Sequence, residues 1–81
     1  MSPLLNYARE KYRQAQALSG VDGGRKRTAI ARRVMTHFCV GLFPSQIAAV
    51  LDCSPSTVYT NRKKTLSPHE NNILEVLKGL L

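Results

Sequence analysis

Eighty-one residues, a net charge of +7 and a pI near 10.0 describe one small basic domain over residues 1–81, with no room for a deep catalytic cleft. No apolar run reaches the roughly 18 residues of a membrane span, and no secretory leader is recognisable, because cations follow the first apolar residues without a long apolar core. The charge is uneven: residues 25–64 hold eight Lys/Arg against one acid, Asp52, a balance of +7. A clustered positive face implies an anionic partner, of which nucleic acid is the commonest.

In chain order, Ser2-Pro3 is a helix-start pair, and residues 4–18 contain neither Gly nor Pro. Leu4, Leu5, Ala8, Tyr12 and Ala15 recur at helical steps and predict one apolar stripe on a first helix. Ser19-Gly20-Val21-Asp22-Gly23-Gly24 breaks it and reads as a flexible loop. The loop leads into Arg25-Lys26-Arg27, predicted as a basic loop reaching phosphates or a minor groove. A second helix is expected over Thr28–Val40, burying Ile30, Ala31, Val34, Met35 and Phe38, with Gly41 as a left-handed C-cap. Arg32 and Arg33 then extend the cationic surface.

The stretch Phe43–Lys64 carries the clearest motif. Pro44 starts one short helix, and Ser54-Pro55, an N-cap followed by proline at the first helical position, starts another. Leu51-Asp52-Cys53 leaves space for only a tight turn, so the two helices form a helix-turn-helix. Ile47, Ala48, Leu51 and Val58 are the residues such a corner buries. Ser56, Thr57, Thr60 and Asn61 are then expected to face bases in a major groove. Arg25, Lys26, Arg27, Arg32, Arg33, Ser54, Arg62, Lys63 and Lys64 are expected to hold phosphates. The aromatics are expected to lie mostly inward, which leaves no platform for stacking bases.

Ser67 and Glu70 stand in the S-x-x-E relation of a capping box around Pro68 and open a last helix over about residues 68–80. Its Ile73, Leu74, Val76, Leu77, Leu80 and Leu81 pack back on the first helix or, in the alternative, pair with a second copy through Ile73, Leu74, Leu77 and Leu80. The expectation is an all-α bundle of about five helices, with a core over about residues 4–66.

Other chemistry is not signalled. There is no phosphate-binding G-x-x-x-x-G-K-[ST] loop. Cys39, Cys53, His37 and His69 lack the paired spacing of a zinc site. No metal, cofactor or enzymatic activity is therefore expected.

The order of elements resembles the C-terminal DNA-binding domain of the bacterial chromosomal replication initiator DnaA. Arg25-Lys26-Arg27 is similar to that family's basic loop and Ala31-Arg32 to the Ala-Arg step of its long helix. Phe43-Pro44-Ser45-Gln46-Ile47 resembles the start of its motif, and Ser54-Pro55-Ser56-Thr57-Val58 followed by Arg62-Lys63-Lys64 resembles its recognition element. Ser54 and Pro55 stand where the family carries Asp and His, so no imidazole reaches a base there. Leu51-Asp52-Cys53 replaces its glycine turn, and the family's ATPase domain has no counterpart.

Gly41-Leu42, Ile47-Ala48, Leu51, Ser54 and Thr57-Val58 also resemble the output domain of LuxR-type regulators and sigma-factor region 4, which would imply dimerisation through the last helix. The resemblance implies a small bacterial, phage or mobile-element regulator that binds double-stranded DNA in the cytoplasm, on the nucleoid, without contacting a membrane. A protein-interaction module working through its last helix is the alternative of a different class.

Overall fold

The structure, a computed structural model, describes residues 3–80. It is all-α, with α1 over Pro3–Leu18, α2 over Gly24–Phe38, α3 over Pro44–Leu51, α4 over Pro55–Arg62 and α5 over Pro68–Leu77. Ser2 and Leu81 lie outside the described residues. No described helix is long and apolar enough to cross a membrane.

Helix α2 is the axis of the bundle and packs against all four other helices. Its Ala31, Val34 and Met35 are fully buried, and Ile30 and Phe38 are packed partly against the same core. Small residues set the approach of α1: Ala8 and Ala15 are buried, Leu5 and Tyr12 flank them, and Leu4 remains half exposed. The corner of α3 and α4 closes on Ile47, Ala48, Leu51 and Val58, all buried as their spacing predicts.

Both ends of α2 differ from the sequence-based expectation. Arg25-Lys26-Arg27 is the first turn of the helix rather than a loop, and the Thr28 hydroxyl donates back to the Gly24 carbonyl at 3.2 Å. At the other end the helix stops at Phe38. Cys39 is its C-cap and donates its N–H to Met35 O, leaving Val40 exposed and Gly41 outside the left-handed region. The loop after α1 is also better fixed than its glycines suggest. Ser19 is buried, its hydroxyl donates to Gln16 O at 2.8 Å, and its carbonyl accepts from His69 Nε2 at 2.7 Å. Gly20, at φ +76, makes the left-handed step that ends α1.

The capping box of α5 forms as its spacing predicts. Ser67 Oγ accepts from the Glu70 N–H at 3.2 Å, and Glu70 Oε1 accepts from the Ser67 N–H at 2.9 Å. Ile73 and Leu77 then bury against α1 and α2, with Leu74 partly buried beside them. The face offered for a second copy is thus consumed within the chain. Among its described apolar residues only Leu80, and Val76 beside that face, stay exposed.

Candidate nucleic-acid interface

Helix α4 begins after a turn whose geometry depends on Asp52. This residue takes the left-handed conformation (φ 55, ψ 50), while the Cys53 N–H bonds to Ala48 O at 3.0 Å. Aspartate tolerates that region better than most residues, and β-branched side chains tolerate it poorly. Asp52→Gly is expected to leave the melting temperature unchanged or slightly raised, whereas Asp52→Val should cost roughly 1–2 kcal/mol. Thermal melts of the two variants check this; equal melting temperatures would contradict it.

The phase of α4 is set by Val58, which is fully buried. Asn61, three residues on, shares its side of the helix and is only 7% exposed. Asn61 therefore does not face outward as expected, and it leaves the base-facing set. Ser56, Thr60 and, unexpectedly, Tyr59 make up the outward side, with Thr57 half buried at its edge. Tyr59 is missed by the sequence reading, which turns the aromatics inward; Tyr7, Phe43 and Tyr59 are all exposed. Helical phase is the available signal: with Val58 inward, Tyr59 turns about 100° round the axis, toward the side that carries Ser56 and Thr60. Ser54 caps without a side-chain bond to the backbone; its hydroxyl instead meets Ser56 Oγ at 2.8 Å and Thr57 Oγ1 at 3.2 Å.

The cations divide into those on the surface and those used by the fold. Arg25, Lys26, Arg62, Lys63 and Lys64 are exposed, and Arg27 is half exposed. Arg62 also donates to Leu42 O at 3.2 Å. Arg32 donates from Nε to Leu51 O at 3.3 Å and from Nη2 to Asp52 O at 3.0 Å, binding the end of α3 and the turn to α2. Arg33 is not a phosphate ligand: its Nε pairs with Glu70 Oε2 at 2.7 Å, and the Glu70 side chain is 6% exposed. Burial raises the Glu70 carboxyl pKa, but the Ser67 N–H and the Arg33 guanidinium outweigh it and leave the pKa below its ordinary 4.5.

Two contacts orient α4. Arg32 reaches Asp52, just before the helix, and His37 Nε2 meets Lys64 O at 3.1 Å, just after it. The middle of α2 is thus tied to the turn before α4, and its last turn to the residues after α4. Arg25, seven residues before Arg32 on the same face, lies about 10 Å back along α2, on the side away from His37. Arg25, Thr28 and Arg32 line one open hollow of about 520 Å³ there. Cations thus stand near both ends of a polar helix of eight residues, about 12 Å long.

No known family, curated protein or solved structure matches this chain. Among the described residues no three His, Cys, Asp or Glu side chains gather to hold a metal. The two cysteines are unpaired, and burial raises the Cys39 thiol to about 11, so it stays protonated at neutral pH. Cys53, half buried in the turn, is raised by the same cause.

Proposed function

We propose that the protein binds double-stranded DNA through the outward side of α4, as a small regulator on bacterial or phage DNA. The observation that carries this reading is the exposed side of α4, Ser56, Tyr59 and Thr60, which leads into the exposed Arg62-Lys63-Lys64, while α2, whose first turn holds Arg25-Lys26-Arg27, packs against α4. A B-DNA major groove is about 12 Å wide and bordered by phosphates on both sides, which matches the length and polarity of this surface. The first turn of α2 adds support: it holds no acid and three cations at the positive end of a helix, an arrangement that phosphate oxygens relieve.

The succession of basic stretch, long helix and helix-turn-helix that resembles the DnaA initiator domain favours the same surface. Pairing through α5, as in LuxR-type regulators, is disfavoured by the burial of Ile73 and Leu77.

Fluorescence anisotropy of a labelled duplex pool against salt tests the proposal. With about six phosphate contacts the log–log slope should be near −5, and affinity should fall about a thousandfold between about 50 and 200 mM salt. Tyr59→Ala or Thr60→Ala should flatten sequence preference on a selected duplex, while Lys63→Ala should weaken all duplexes alike. No binding at low salt would remove the proposal, and uniform loss from all three changes would remove base readout by α4.

A further inference from the structure

Away from α4, the molecule carries a second surface built for contact. Leu4, Tyr7 and Ala8 of α1 face Phe38, Cys39, Gly41 and Leu42 across an open groove of about 360 Å³. The Tyr7 and Phe38 rings stand 6.3 Å apart with a tilt of 35°. Ala8 and Cys39 are buried, whereas Leu4 and Tyr7 are each 53% exposed. Val40 and Phe43, chain neighbours of Gly41 and Leu42, are 75% and 74% exposed. Val40 lines a separate hollow with Thr36, His37 and Arg62, so the exposed apolar surface at the groove itself is that of Leu4 and Tyr7.

Charge decides what the groove fits. The Lys11 ammonium lies 5.4 Å from the Tyr7 ring centre on one side, and Arg62 bonds the Leu42 carbonyl on the other. No acid lines the groove, and Glu10 on the same helix is engaged with Arg13 at 3.1 Å. A second copy, itself +7, is a poor match for this cation-bordered surface. We propose that the groove between α1 and the α2–α3 connection receives an amphipathic, carboxylate-rich segment of a partner protein. Its apolar side chains enter between Tyr7 and Leu42, and its carboxylates meet Lys11 and Arg62. This surface shares Arg62 with the proposed DNA-binding face and otherwise rests on other residues.

Amide NMR of the ¹⁵N-labelled full chain, without DNA, tests the inference. The probe is a synthetic helical peptide with leucines on one face and glutamates on the other. A leucine–lysine peptide of the same pattern is the control. The glutamate peptide should shift the amides of Tyr7, Gly41 and Leu42, and the lysine peptide should not. Leu4→Glu and Tyr7→Glu, both at exposed positions and checked for folding by circular dichroism, should each weaken binding by about tenfold or more. Equal binding of both peptides, shifts confined to other surfaces, or no shifts at millimolar peptide would each overturn it. So would a dimer in sedimentation that either variant dissolves, which would assign the face to a second copy.

Discussion

Glu70→Ala should strongly destabilise the chain. It removes the partner of Arg33, which is only 25% exposed, and also the return half of the α5 capping box. Losing one member of a buried pair costs about 3–5 kcal/mol, and the partial exposure of Arg33 places this case at the lower end, near 3 kcal/mol. For a domain of this size that corresponds to a melting temperature lower by roughly 12–24 °C.

The pH dependence follows from the lowered Glu70 pKa. A carboxyl held below its ordinary 4.5 contributes fully above that value and loses its contribution as pH falls through the folded-state value. Acid should therefore destabilise the native chain below about pH 4.5, the ordinary carboxylate value, through this group. Glu70→Gln keeps a hydrogen-bond acceptor for the Ser67 N–H but loses the charge. It should be less stable than the native chain at neutral pH and show a shallower fall in acid. Parallel melts of the three proteins from pH 7 to about pH 3 measure both effects; identical acid profiles would contradict the assignment.

Reversing charge near both ends of α4 should weaken DNA binding severely without unfolding the chain. Lys26, Lys63 and Lys64 are exposed, and among the described residues their side chains make no hydrogen bond or ion pair. Each lost phosphate contact lowers the salt slope by about one unit, so Lys26→Glu with Lys63→Glu and Lys64→Glu should take it from about −5 to about −2. Affinity at low salt should drop by about a hundredfold or more, since each reversed charge also repels phosphate. The same three reversals should change the melting temperature by only a few degrees, because surface charges contribute little to stability. Arg33→Glu gives a contrasting outcome: loss of stability through a clash with Glu70.

Much of the fold was legible because its signals are local. Pro44, Ser54-Pro55 and Ser67-Pro68 mark helix starts by the chemistry of their own side chains, and Ile47, Leu51 and Val58 need only each other to define the corner. The start of α2 was hidden because three cations oppose the helix dipole, and Gly23 supplies no side-chain cap to announce it. Arg33 and Glu70 are 37 positions apart, and their pairing depends on where α5 docks. A general hint existed: a central helix packed on four neighbours leaves its middle arginines little open surface. Asn61 is the exception: with Val58 inward, a residue three positions on shares its side of the helix, and this phase overrides the polar composition that suggests an outward position.

The central claim is that α4, bordered by the cations of α2 and of its own C-terminal end, meets the DNA. The most direct measurement is a map of amide and side-chain NMR shifts of the labelled chain on adding duplex DNA at low salt. The account predicts perturbations over residues 24–27 and 54–64, including the Tyr59 ring, with little change along the inner face of α5. Shifts centred on α5, or none on α4, would contradict it.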